Sequence, residues 1–288
     1  MSKSTNNTKQ AFWIAVGGLF SFGFGIISSV ILSRYFNKAD YGTYKQVLYI
    51  YGTMLTVFTL GLPKAYSFFL PRVKTSQAKN LIKKITNIFF LLGGLFSVFI
   101  YIFSEKISIL LNNPDLAIAL KLFSPVPFLM LPTMGLEGIL ATYKMTKIMA
   151  AYTIITRFIM LCCIALPVII FDADYIQAII GFVASSFIAF ILAILLKNHP
   201  VKDKGNDKCE VNYKDIFQFS LPLLYASIWG MLINSSDQFF ISRYFGQETF
   251  AEFSNGSLEL PFVGMIVGAT SVVLAPIFSR MNHIKLNP

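Results

Sequence analysis

Apolar residues in this chain are gathered into long stretches separated by short polar ones. A hydrocarbon core about 30 Å thick is crossed by about 20 helical residues. Eight stretches meet that length, roughly 11 to 33, 43 to 62, 86 to 103, 118 to 142, 148 to 171, 175 to 196, 216 to 241 and 254 to 278. The pattern predicts an all-α fold, a polytopic integral membrane helix bundle of about eight spanning helices. The connections between them carry unequal charge. The second holds Lys64, Arg72, Lys74, Lys79, Lys83 and Lys84 without an acid, the fourth holds Lys144 and Lys147, and the end of the chain holds Arg280 and Lys285. Alternate connections are neutral or acidic, with Glu105, Lys106 and Asp115 in the third, Asp172 and Asp174 in the fifth, and Glu248 and Glu252 in the seventh. Basic loops stay in the cytoplasm, so the amino terminus is expected inside. The first loop, with Arg34, Lys38 and Lys45 against Asp40, departs from the rule.

A repeat organises these segments. Ser33-Arg34-Tyr35-Phe36 returns 209 residues later as Ser242-Arg243-Tyr244-Phe245. Downstream, Tyr41-Gly42-Thr43-Tyr44 aligns with Phe250-Ala251-Glu252-Phe253, and Gln46 with Asn255. Upstream, Gly17, Ser21, Gly25, Ser29 and Ser33 place a small residue at every fourth position, a stripe that lets helix backbones approach closely in a membrane. Its echo is Ala226, Gly230, Asn234, Gln238 and Ser242, a face that turns polar as at a wet cavity. Six spans separate the two copies, so both cross in the same direction and the repeat is parallel. The division that follows is a six-helix first lobe over 1–196, a polar inter-lobe linker over 197–215, and the first two helices of a second lobe over 216–288. A complete second lobe needs four more helices, so the expectation is a fragment or a truncated product that does not transport alone.

Composition narrows the class. With 55% hydrophobic and 13% charged residues, the chain has too little polar surface to cover a soluble globule. The net charge of +10 lies in short runs between apolar segments, which is topology and excludes nucleic acid as an expected partner. Cys162 and Cys163 sit in an apolar run and Cys209 in a charged loop, with no disulfide or metal-ligand spacing. No cofactor is called for. The first segment is of full spanning length, with no cleavage site after it.

The small-residue first helix, Ser33-Arg34-Tyr35-Phe36 leading to Asp40-Tyr41-Gly42-Thr43-Tyr44, then Gly61-Leu62-Pro63 and Phe69-Leu70-Pro71-Arg72, resembles the bacterial polysaccharide exporters, the oligosaccharide-lipid flippases. Ser220-Leu221-Pro222 and Ser236-Asp237-Gln238 in the second copy are similar to the same pattern, and Ala251 stands where that family usually has glycine. The resemblance implies a member of the multidrug/oligosaccharidyl-lipid/polysaccharide exporter superfamily in the bacterial cytoplasmic membrane. It implies a carrier that moves an undecaprenyl-pyrophosphate-linked oligosaccharide outward for O-antigen, capsule or exopolysaccharide assembly. Membrane lipids and the pathway's polymerase and chain-length proteins are the further expected partners. Such a cargo has an apolar tail, an anionic pyrophosphate and a polar head, so it asks for a lipid-open cleft containing cations. Two alternatives stand beside it, a membrane-embedded enzyme of the same pathway and a drug exporter of the same superfamily. His199 and His283 lie in tails and the outward loops are short, which leaves an enzyme little to work with.

Charges within spans mark candidate chemistry, since one near the bilayer centre costs about 2.5–3.5 kcal/mol on insertion scales. Glu137 and Arg157 lie at similar depth in the fourth and fifth segments, among Thr133, Tyr152, Thr153 and Thr156. They are expected to pair, either as a bridge between helices or as a cavity lining that engages the substrate. Arg34, Asn234 and Gln238 complete the candidate pathway. Asp237 is read either as an interfacial carboxylate paired with Arg34 or Arg243, or as a coupling-ion or gate residue. Glu259, beside Leu260-Pro261, is open to a structural or a coupling role. Pro125, Pro127 and Pro132 predict a broken fourth helix, lining the pathway or merely packed. Tyr41, Tyr44, Tyr49 and Tyr51 read as an interfacial aromatic belt or as sugar-stacking rings. The basic run from Arg72 to Lys84 reads as topology or as an anionic-lipid contact.

Overall fold

The structure, a computed structural model, describes residues 2–202, 205, 207–257, 268 and 270–279, with side chains from Thr8 onward. Among these residues the chain is helical, without a strand. The helices are α1 (Ser2–Tyr35), α2 (Lys38–Phe58), α3 (Pro63–Phe69), α4 (Ala78–Leu110), α5 (Leu116–Phe123), α6 (Pro125–Met130), α7 (Leu136–Thr142), α8 (Thr146–Phe171), α9 (Tyr175–Asn198) and α10 (Tyr213–Gly256). Seven stretches among the described residues are long and apolar enough to cross a membrane: Thr8–Tyr35, Lys38–Arg72, Ala78–Leu110, Leu116–Thr142, Thr146–Phe171, Tyr175–Val201 and Tyr213–Gly256. The expected eighth, 254 to 278, falls largely outside the described residues. Its near end is the tail of α10, and its far end is the apolar helix Thr270–Ser279.

Several elements are longer or more broken than the apolar pattern predicts. α4, expected over 86 to 103, has 33 residues and a length of about 50 Å, so Lys79, Lys83 and Lys84 ride on its first turns. The second crossing stops at Phe58 and turns through Leu60 and Gly61, both at positive φ. It resumes at Pro63, whose fixed φ and missing N–H suit a first helical turn. The fourth crossing is broken as the prolines require. α5 gives way to α6 at Pro125, a 3-10 turn follows over Leu131–Thr133, and α7 starts only after Gly135 at φ 75°.

The core runs between α2, α4, α5, α9 and α3. Tyr66, Phe89, Phe96 and Phe123 are fully buried there, and Phe58 stacks on Phe96 at 4.3 Å. Large apolar side chains on α1, α8 and α9, such as Phe20, Phe158, Ile170, Phe187 and Leu195, point outward, as on a lipid-facing wall. The 197–215 stretch, expected as a linker, begins inside α9 and then docks along the start of α4. There Asp207 N–H donates to Ser76 O, Asn80 to Asp207 O and Lys84 to Val211 O.

Candidate functional site

The repeat has a backbone counterpart. α1 stops at Tyr35, and Asn37, in extended conformation, caps α2 by accepting the Asp40 N–H. At the position 209 residues later stands Gly246, whose φ of 81° and ψ of 177° interrupt α10. Only a residue without Cβ adopts that conformation readily. α10 is thus two helices, the repeats of α1 and of the start of α2, and the expected seventh connection has shrunk to one glycine.

Two cavities flank the contact between the copies. One, of about 570 Å³, lies between the second crossing and α10, lined by Thr53, Thr56, Thr59, Lys64, Ser227 and Asn234 among others. The other, of about 510 Å³, lies between α1, α7, α8 and the residues Gly268 and Val272, and contains Glu137 and Thr153. They are counterparts. Ile14, Gly18, Ser21, Gly268 and Val272 of one answer, each 209 positions away, to Leu223, Ser227, Gly230, Thr59 and Pro63 of the other. A pseudo-twofold axis therefore passes between the cavities.

At the end where α1 turns into α2, the same two units are in close contact. Lys38 pairs with Glu252 at 2.7 Å, Tyr41 OH donates to Asn255 Oδ1 at 2.7 Å, and Gln46 Nε2 donates to Ser242 Oγ at 2.7 Å. A Cβ on Gly42 would collide with the Gln247 backbone, so glycine is what lets the chains meet. Behind them Asn113 donates to Thr43 Oγ1 and Gln46 Oε1, and Gln46, Asn113, Thr43 and Ser242 are all buried. A satisfied buried polar network of this kind makes a specific contact. The tyrosines are packed inside: Tyr41 bonds Asn255, and Tyr44 is buried. Tyr49 donates to Ser235 O and its ring meets Phe250, while Tyr51 packs on Phe96 and Phe123, so the set forms neither a belt nor an open stacking surface.

Arg157 and Glu137 do not pair. Arg157 is exposed into a third cavity of about 370 Å³ between α1, α2 and α8, and its guanidinium contacts Met160 Sδ at 3.6 Å. The second cation of that cavity, Lys45, donates to Ser29 Oγ at 3.1 Å. Glu137 opens instead into the cavity that holds Thr153, and the two cavities adjoin at Ser21 and Phe22. Equal depth thus put the two charges on different walls. Thr156 is buried and its hydroxyl returns to the Tyr152 and Thr153 carbonyls of its own helix, away from the cavity of Arg157. The small stripe of α1 divides likewise. Gly17 lets α1 approach Ala150 of α8, whereas Ser21, Gly25 and Ser29 line the cavity of Arg157.

The remaining expected residues are scattered. Arg34 is exposed at the end of α1. Asp237 is exposed and accepts the Gln238 N–H, and Arg243 donates to Ile109 O, so neither expected ion pair of Asp237 forms. Asn234 lines the larger cavity, and half-buried Gln238 is not among the lining residues described. Glu259 lies outside the described residues.

Two features escaped the sequence reading. Thr53, Thr56 and Thr59 recur at three-residue spacing, which places them along one helix face. That spacing was visible, but the residues sit within an apolar span. The other is Lys197, 1% exposed at the end of α9. Its ammonium donates to Met134 O at 2.7 Å and Tyr66 OH at 3.1 Å, with the faces of Tyr66 and Phe89 beside it. Met134 is the residue whose backbone turns extended at the break of the fourth crossing, which frees its carbonyl.

Residues 8–282 match the family described as polysaccharide biosynthesis protein. Among curated proteins none matches the chain. In structure, the chain is similar to a mutant of the Vibrio cholerae MATE transporter VcmN, with a TM-score of 0.73 and 17% identity. The match covers 97% of this chain and 66% of that transporter's length, and at this identity it speaks for the fold.

Proposed function

We propose that this chain, which belongs to the polysaccharide biosynthesis protein family, is a membrane carrier that flips an undecaprenyl-pyrophosphate-linked oligosaccharide across the bacterial inner membrane. It does so by alternating access between two lobes, without chemistry on the cargo. The observation that carries the reading is the pair of polar cavities related by the 209-residue repeat, placed on either side of the contact between the two copies. Hydroxyls and amides at Thr53, Thr56, Thr59, Ser227 and Asn234 suit a sugar head, and Glu137 and Thr153 supply the opposite wall. Arg157 and Lys45 supply the cations for the pyrophosphate in the adjoining cavity, where a guanidinium holds two phosphate oxygens with parallel hydrogen bonds. The contacts from Lys38–Glu252 to Gln46–Ser242 close one end, and their separation is the opening step. Arg34 and Asp237 stand exposed near that end as gate charges. With the amino terminus inside, the closed end faces outward and the two counterpart cavities face the cytoplasm.

Lipid-linked sugars in a strain deleted for the gene test the reading. The expected result is accumulation of undecaprenyl-pyrophosphate-linked oligosaccharide in the inner leaflet, relieved by the full-length gene. A normal level of that intermediate, with lost resistance to a drug, would assign the carrier to a different cargo.

A further inference from the structure

Next to the larger polar cavity lies a groove of about 470 Å³ whose walls come from α2, α4 and α10. Ile50 and Met54 form its floor, Phe99 and Leu110 one side, and Leu232 and Phe239 the other. Its polar groups, Thr53, Ser235 and Ser236 among them, do not interrupt this lining, and Thr53 and Ser235 also line the polar cavity together with Met231. The two spaces are thus continuous. Leu110, Leu232 and Phe240 at the rim are about half exposed, which opens the groove sideways between α4 and α10.

We propose that this groove seats the polyprenyl chain of the cargo while the head group occupies the polar cavity, an inference that rests on the carrier function proposed above. The order of the two spaces along the second crossing is the argument. From Lys64 the lining is polar through Thr59 and Thr56, and it turns apolar at Thr53, about 22 Å along the helix axis from Lys38. In a core about 30 Å thick this change falls inside the bilayer. A lipid whose head lies at the Lys64 end points its chain toward the bilayer middle, which is the direction in which the groove runs. Hydroxyls and amides give such a chain no gain, whereas apolar walls exchange it from bilayer to protein at little cost. A groove of this volume lies within the range of ordinary ligand pockets. It takes part of one long chain, with the remainder leaving past Leu232 into lipid.

The test is photolabelling of the full-length protein in nanodiscs with undecaprenyl phosphate carrying a diazirine on its chain, and in parallel with a phosphatidylglycerol carrying one on its acyl chain. The prenyl probe is expected to modify peptides containing Leu110, Leu232 or Phe239. A tenfold saturating excess of unlabelled undecaprenyl phosphate should lower this labelling about tenfold by mass action, and phosphatidylglycerol should not. Leu232→Trp, which fills the groove, is expected to abolish it while leaving the amount of folded protein unchanged. If Leu232→Trp does not fold, the competition result in the unaltered protein stands as the test. Equal, uncompeted labelling by both probes overturns the proposal, because the groove then holds bulk lipid. Competed labelling confined to other peptides overturns the groove and keeps the carrier. No competed labelling anywhere overturns both.

Discussion

Gln46 donates its side-chain amide to Ser242 across 2.7 Å, tying the second crossing to the residue that repeats Ser33. Asn255, the repeat of Gln46 itself, accepts from Tyr41 at the same distance. Two corresponding amides thus reach across the pseudo-twofold axis in opposite directions. The Gln46–Ser242 bond is closed to water, as both residues are fully buried, whereas the Tyr41–Asn255 bond is only partly so.

Gln46→Leu keeps the size of the side chain and removes its polar atoms. The Asn113 amide and the Ser242 hydroxyl then lose a buried partner, which costs about 1–3 kcal/mol. A lower Tm of the detergent-solubilised protein is expected. Adding Ser242→Ala should cost less than its own single effect, because the bond it breaks is already gone. Additive losses would mean that the two side chains act independently.

Gly42→Val tests the close approach on the same surface. Its branched side chain meets the Gln247 backbone, which is not free to move like a side-chain tip. Overpacking of this kind costs about 1–3 kcal/mol, and it is expected to prise the two units apart. Cysteines at Lys38 and Glu252, joined by a short bismaleimide in the otherwise unaltered protein, should couple poorly in the Gly42→Val background. Undiminished coupling would count against a close-packed contact there.

The fold was legible in the sequence where the repeat spoke for it. The 209-residue offset paired the end of α1 with Ser242-Arg243-Tyr244-Phe245, beside which the structure breaks α10 at Gly246, and the prolines located the broken fourth crossing. The site was legible only in part. Span ends set the height of Glu137 and Arg157 but not the angle at which each leaves its helix, so equal depth was mistaken for contact. Lys197 was missed for a related reason. A lysine after an apolar run reads as the start of a loop, and nothing near it announces that a carbonyl at Met134, three-dimensionally adjacent and 63 residues earlier, lacks a partner.

Lys197→Met removes the ammonium and keeps a stem of similar length. Met134 O and Tyr66 OH lose a donor and a partner in a site closed to water. Breaking a buried charged hydrogen bond leaves a polar group unsatisfied at a cost of about 1–3 kcal/mol. Lower folded yield and a lower Tm are expected, with Lys197→Arg also impaired because the planar fork does not fit a space shaped for an ammonium. A Tm unchanged in Lys197→Met would show that the broken crossing holds its shape without this contact.

Membrane orientation is tested by a cysteine at Asp172 and another at Lys79, both exposed positions. The basic second connection and the acidic fifth one predict that an impermeant maleimide labels Asp172→Cys in intact cells and leaves Lys79→Cys unmodified until the membrane is opened. Labelling of Lys79→Cys from outside would invert the orientation proposed for the cavities.

Arg157 separates a pathway role from a structural one. No carboxylate among the described residues pairs with it, and its side chain stands in a cavity shared with Lys45. Removing it therefore leaves no buried acid uncompensated, so Arg157→Ala should appear in the membrane in normal amount and fail to transport the lipid-linked sugar. Arg157→Lys keeps the charge but not the planar fork that holds two phosphate oxygens, and partial transport is expected. The reversed pair Glu137→Arg with Arg157→Glu gives the sharper discrimination. Residues that matter only to each other regain function when exchanged, whereas these two line separate cavities and the exchange moves the cation away from Lys45. Transport should therefore stay lost in the exchanged variant. Its full recovery, measured as clearance of the accumulated intermediate, would return Arg157 to a helix-bridging role and take it out of the pathway.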